Sequence, residues 1–83
     1  MYYVYLLRLK DKSVYTGSTP DLKNRIDAHQ NGFVKSTKCL RPVKLIWFSS
    51  FQTRITALRF ERYLKSGSGQ AFRNKRLVDV MPS

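Results

Sequence analysis

The sequence predicts an α+β domain: a three-stranded antiparallel sheet flanked by helices, in the order β-β-α-β-α-α. Three observations carry this. Two Tyr-, Val- and Leu-rich runs near the start are joined by the polar cluster Lys10-Asp11-Lys12-Ser13, which is the pattern of a hairpin. A third strand-like run, Lys44 to Phe51, stands between two segments of helical character. At 83 residues there is room for one small domain, spanning 1–83, with no repeat and no linker to divide it.

The elements follow in order. Residues 2–9 form the first strand and Ser13 to Ser18 the second, with Gly17 letting the backbone come close to something at its end. Thr19-Pro20-Asp21 opens a helix, with Thr19 as N-cap, Pro20 at the first helical position and Asp21 at the positive end of the dipole. Its inner face is Leu22, Ile26, His29 and Phe33, and Asn31-Gly32 stops it. Residues 33–42 lack a period and read as a basic loop. The run from Lys44 to Phe51 is almost continuously apolar, which suits a central strand covered on both faces. Thr53 caps the second helix, which Ser66-Gly67-Ser68-Gly69 ends. A last short basic helix runs from Gln70 to Val78, ahead of Pro82.

Sixteen Lys and Arg against five Asp and Glu give a net charge of +11, which calls for a polyanionic partner, nucleic acid before an anionic membrane. Hydrophobic content of 42% with 13% aromatics fits a folded domain and excludes a disordered basic tail. With Cys39 the only cysteine, an intrachain disulfide is impossible and a reducing, cytoplasmic setting is expected. One His and one Cys cannot build a zinc site of the usual ligand count unless carboxylates fill in. The opening run does not read as a signal peptide, and no stretch reaches transmembrane length.

Glu61, the only glutamate, stands where a glutamate is unexpected. Ala57, Glu61 and Leu64 follow i, i+4, i+7, so the carboxylate shares the stripe that faces the core. A half-buried carboxylate costs free energy unless paired, hydrogen-bonded or on a metal. Two readings are open: a metal ligand, or an internal ion pair with a core-facing arginine such as Arg25. Tyr3 and Tyr5 share a strand face and Tyr15 lies on the partner strand; they are either ordinary strand tyrosines or part of a site. Arg25 and His29, four apart, either flank the core or reach into one pocket where the arginine holds a phosphate. Lys35, Lys38, Arg41 and Lys44, then Arg73, Lys75 and Arg76, are solvated charges singly and phosphate contacts collectively.

Tyr3-Val4-Tyr5 followed by Tyr15-Thr16-Gly17 resembles the paired tripeptides of the GIY-YIG nuclease superfamily, with Tyr and Val replacing Gly and Ile in the first. The resemblance continues through Asp21 to His29, Arg41-Pro42, Leu45-Ile46-Trp47 and Ala57 to Gly67, so it covers nearly the whole chain. It implies metal-dependent hydrolysis of phosphodiesters, DNA first. Glu61 looks like the single protein ligand to Mg2+ or Mn2+. Tyr5 and Tyr15 look like the tyrosine pair at the water and scissile phosphate, one of them the general base, with Tyr15 favoured for its place beside Gly17. Arg25 looks like the stabiliser of phosphoryl charge and His29 like its helix neighbour. Asn74 matches a late asparagine of some members, and Gly17 and Ser18 would lie against the nucleic acid. Some members carry a lysine where this chain has Ser18. The competing readings are a nucleic-acid-binding module of the same fold without meaningful turnover, and a basic structural protein bound to ribosome or chromatin. Oligomeric state is open.

Overall fold

A computed structural model describes residues 1–78 of the chain; Pro82 lies outside them. Its sheet has the strand order β2-β1-β3, with β1 at Tyr2–Arg8, β2 at Val14–Thr19 and β3 at Lys44–Phe51, and both pairings are antiparallel. The central strand is therefore β1, not the third strand as its composition predicts. The hairpin fixes β2 on one edge of β1, and the chain returns to pair β3 with the other edge. β1 carries the consecutive buried run Val4, Tyr5, Leu6 and Leu7, as a strand covered on both faces must. β3 is an edge strand that leaves Phe48 51% exposed. Its apolar residues cover the end of the sheet through Trp47 and Phe51, which pack on Phe60. A register shift between Leu6 and Leu7 bulges this edge at Ile46.

Helix α1 (Leu22–Gln30) is capped by Asp21, which accepts from the Asn24 N–H at 3.2 Å. Thr19 stays in β2, where its hydroxyl accepts the Asp21 N–H, so Pro20 lies before the helix rather than in it. The inner face of α1 holds a fully buried His29 and half-buried Leu22 and Ile26. Phe33 departs from that stripe and is 80% exposed, because Gly32, at φ 78°, turns the chain out of the helix. The basic loop contains one 3-10 turn, Lys38–Leu40, tied to the hairpin by the Lys10 N–H donating to the Leu40 carbonyl.

Helix α2 (Arg54–Lys65) starts at Thr53, whose hydroxyl accepts from the Thr56 N–H. Ser66 ends α2 and caps α3 (Gly67–Phe72), accepting the Gly69 N–H at 3.1 Å. The Gly67-Ser68-Gly69 cluster thus begins a helix as well as ending one. A Cβ at Gly69 would collide with the Tyr63 carbonyl, so only glycine lets the two helices meet this closely. A π-helical segment, Arg73–Val78, follows.

Strand alternation divides the core into two layers. Val4 and Leu6 pack with Ala57, Leu64 and Phe60 of α2. Tyr5, Leu7 and Leu9 pack with Val43 and with Tyr15, Leu22 and Ile26 on the α1 side.

Candidate active site

Tyr5 and Gly17 are register partners across β1 and β2, and the tyrosine ring lies over the glycine. A Cβ on Gly17 would stand 2.5 Å from the Tyr5 Oη and 2.6 Å from its Cζ. The close approach read from Gly17 is thus an approach to this phenol. The Tyr5 hydroxyl meets His29 Nε2 at 2.9 Å, and Arg25 Nε donates to it at 3.4 Å. On its other side His29 Nδ1 meets Thr37 Oγ1 at 2.8 Å. Tyr5, His29 and Thr37 are all 0% exposed. Donor accounting orients this chain of contacts. Arg25 can only donate to the phenol oxygen, and with the Tyr5 O–H donating to Nε2 the neutral imidazole carries its proton on Nδ1, which donates to Thr37 Oγ1. The Tyr15 ring, half-buried, stacks edge-on at 5.1 Å from the imidazole and 6.3 Å from the Tyr5 ring.

Burial raises the Tyr5 phenol above its ordinary value, outweighing the Arg25 hydrogen bond that works in the other direction. Burial, with the nearby Arg25 charge, lowers His29 below 6.5, so the imidazole is neutral at pH 7. The Tyr5 hydrogen bond raises Arg25 further above its already high value. The cluster therefore presents one fixed positive charge on a neutral, enclosed support.

Glu61 lies across the sheet. Thr16 and Ser18 alternate with Tyr15 and Gly17 and face α2. Ser18 Oγ donates to Glu61 Oε1 at 2.7 Å, and Lys65 Nζ lies 2.8 Å from Oε2. The Glu61 side chain is 16% exposed and that of Lys65 54%. Burial alone would raise this carboxyl; the Lys65 and Ser18 hydrogen bonds overcome it and hold Glu61 below its ordinary 4.5. Glu61 is therefore ionised at neutral pH, and its ion-pair partner is Lys65 rather than Arg25. An ammonium thus reaches the neighbourhood of Ser18 from α2, although β2 itself supplies none.

The two halves are joined by one peptide link, Gly17–Ser18. Because β2 is an edge strand, both of its faces open on the same rim of the sheet. The Glu61 charge is near enough to contribute to the upward shift of Tyr5. No group of three or more His, Cys, Asp or Glu that could hold a metal exists among the described residues. One ionised, partly open carboxylate beside a hydroxyl fits Mg2+ or Mn2+, which leave most of their coordination to water and substrate oxygens. It does not fit a zinc centre.

The basic residues divide by what they touch. Lys35 and Lys38 are exposed on the loop after α1. Arg41 donates from Nε to the Lys38 carbonyl at 2.9 Å and from Nη1 to the Gln30 carbonyl at 3.3 Å, closing that loop over Gly32. Arg73 donates to Thr16 Oγ1 at 3.4 Å and to Asn74 Oδ1 at 3.1 Å, while Asn74, Lys75 and Arg76 are exposed. One participant escapes motif reading. Thr37, which fixes His29, carries no periodic signal. Lys65 is legible as an i,i+4 partner of Glu61. Cys39 is free and exposed, and no helix among the described residues is long and apolar enough to cross a membrane.

Comparison with known proteins agrees with this architecture. The chain is 47% identical over 66 residues to UPF0213 protein CPE1444 of Clostridium perfringens, a match covering 78% of this chain and 71% of that protein. It is 41% identical over 70 residues to UPF0213 protein SSP2268 of Staphylococcus saprophyticus, covering 83% and 85% of the two chains. The solution NMR structure of UPF0213 protein BH0048 from Bacillus halodurans superposes with a TM-score of 0.59 at 35% identity, over 96% of this chain and 85% of that one. A family model described as the GIY-YIG catalytic domain matches residues 1–76. Since that match runs unbroken from β1 into the π-helical segment, this chain belongs to the GIY-YIG catalytic domain family.

Proposed function

We propose that this chain hydrolyses phosphodiester bonds of DNA in a divalent-metal-dependent reaction centred on the β2 rim. The observation that carries the reading is the pairing across one edge strand of an ionised, partly open Glu61 with an arginine held by buried tyrosine and histidine. Membership of the GIY-YIG catalytic domain family supports the reaction class. Glu61, with Ser18 beside it, would hold Mg2+ or Mn2+. Such an ion, when bound, supplies a Lewis acid for the phosphoryl oxygen and lowers the pKa of water.

The remaining roles fall to side chains. Arg25, permanently charged, stabilises the negative charge that develops on the phosphoryl group. Tyr15 is the half-buried phenol of the pair and, as its phenolate, takes the proton of the attacking water. Tyr5 is unsuited to act as the base, because its hydroxyl is enclosed and committed to His29 and Arg25, and burial favours its neutral form. Its role is to position Arg25, with His29 as the neutral brace behind it. Exposed Lys35, Lys38, Lys75 and Arg76, with Asn74 and Arg73, supply backbone phosphate contacts along the two flanks. Arg41 shapes one of those flanks.

One observation favours a second reading, a binding module without turnover: Lys65 already compensates the Glu61 charge. A cleavage panel of single-stranded, duplex, flap and branched DNA, with Mg2+, Mn2+ or EDTA, separates the two. Metal-dependent cleavage by the native chain and none by Glu61→Gln is expected. Equal, metal-independent products from both proteins would overturn the hydrolytic assignment.

A further inference from the structure

Phe33 is 80% exposed, more than any other large hydrophobic side chain among the described residues. A lone exposed apolar residue needs no explanation, but this one is held in place. Gly32 turns the chain outward at φ 78°, and the Phe33 N–H donates to the Ala28 carbonyl at 2.9 Å. The Arg41 guanidinium lies against Gly32, where a Cβ would be 2.8 Å from its Cζ, and bonds the Lys38 carbonyl of the loop and the Gln30 carbonyl at the end of α1. Val34 and Thr37, both buried, anchor the loop from within. The ring is thus presented to solvent by a braced backbone, with exposed Lys35 and Lys38 on the same loop.

The brace is continuous with the candidate site. Thr37 bonds His29, and His29 bonds Tyr5. Whatever seats on the loop is therefore in fixed relation to Arg25. An aromatic face held at the surface among cations is the arrangement that stacks a nucleobase while the cations follow the backbone. In an intact duplex both faces of each base are covered by neighbours, so a base must be unpaired or displaced to meet such a ring.

We propose that the loop of residues 32–41 is a stacking platform for an unpaired base, with Phe33 as its contact. The ligand class is then DNA with a single-stranded or distorted segment. This rests on the nucleic-acid reading of the β2 rim but not on turnover.

The test is equilibrium binding in EDTA, by anisotropy, of a fully paired duplex and of the same duplex carrying one unpaired 2-aminopurine. The native chain is expected to bind the second more tightly and to quench its fluorescence. Phe33→Ala should lose the quench and bind the unpaired substrate roughly 5- to 150-fold more weakly, the range for losing one base–aromatic stack, with duplex affinity unchanged. Phe33→Trp should restore both signals. Lys35→Ala should instead weaken both substrates alike and reduce the salt slope by about one. A Phe33→Ala protein that keeps the quench, or weakens both substrates equally, would overturn the platform. Cleavage of the panel by such a protein would show that the hydrolytic reading survives its loss. Binding of neither substrate would remove the nucleic-acid reading and the platform with it.

Discussion

Gly17→Ala is the most informative single change, because the structure fixes its cost and its consequence. The added Cβ would lie 2.5 Å from the Tyr5 Oη, 0.9 Å short of the 3.4 Å at which ordinary contact begins. Tyr5 is 0% exposed and cannot swing into solvent. The phenol must retreat, and its bond to His29 Nε2 must lengthen or break. Overpacking of this kind costs about 1–3 kcal/mol, and a buried nitrogen left without a partner costs about 1–3 kcal/mol more. The whole domain is expected to be stable by only about 4–12 kcal/mol at its length, and each kcal/mol moves Tm by about 4–8 °C. Urea and thermal unfolding, followed by the fluorescence of Trp47, should therefore show a loss of about 2 kcal/mol or more. NMR titration of His29 supplies the second readout: relieved of burial, its lowered pKa should rise toward 6.5. In the Tyr5→Phe background the nearest atom is gone but Cζ remains at 2.6 Å, so relief is partial and the two changes are not additive. A Gly17→Ala protein of native stability with an unaltered His29 titration would refute the reasoning.

Glu61→Gln should abolish metal-dependent cleavage while leaving the fold and DNA binding near normal. If it loses substantial stability and the native chain shows no metal dependence, Glu61 is only the partner of Lys65. Tyr15→Phe should lower the rate about 10²-fold, the scale for losing a general base, whereas Tyr5→Phe should also destabilise by about 1–3 kcal/mol because His29 loses its buried partner. A native pH–rate profile in Tyr15→Phe would remove that residue as the base. Stability should fall on acidification in two windows. His29 has a folded pKa below its unfolded 6.5, so the native state binds fewer protons and stability drops as pH falls through and below 6.5. Glu61 has a folded pKa below 4.5, so its contribution is present above 4.5 and lost as pH falls through the folded value. A Tm that stays flat from neutral pH down to the range below 4.5 would contradict both.

What the sequence reveals about this fold is what local chemistry dictates. The hairpin, the Thr53 cap and the Gly32 stop each depend on a few adjacent residues, and all are present. Strand order is not local. An almost continuously apolar β3 reads as central, yet its residues serve to cover an edge, and the sequence carries no signal for which flank of β1 it joins. Phe33 extends the helical stripe only if the helix continues past Gly32, and the positive φ there ends it. Gly69 reads as a breaker because its other use, approach to the Tyr63 carbonyl, depends on a helix pair not yet formed. In the site, Tyr5, Arg25 and His29 are joined by hydrogen bonds, a grouping that strand and helix spacing leave open and that only the family resemblance suggests. The pairing of Glu61 with Lys65 is accessible from i,i+4 geometry, while the buried support from Thr37 requires the folded loop.

The division of the site across β2 has its own physical logic. Placed on one face, Arg25 and Glu61 would be natural ion-pair partners, and a partly buried pair would neutralise the two charges on which the proposed chemistry depends. Alternation along an edge strand prevents this. Successive residues send Gly17, with the phenol above it, to one face and Ser18 to the other. Arg25 has no carboxylate partner among the described residues and is held through a phenol, which leaves its charge uncompensated for a phosphate. Glu61 pairs with Lys65, whose side chain is more than half exposed, with Ser18 and the Arg62 charge also stabilising the carboxylate. Lys65 is the exposed member of that pair, so on the proposed reading a divalent cation would take the place of its ammonium at the carboxylate, and Lys65 would stay beside the incoming phosphate. On the proposed reading the edge strand keeps two opposite charges apart until a substrate spans the rim and meets both.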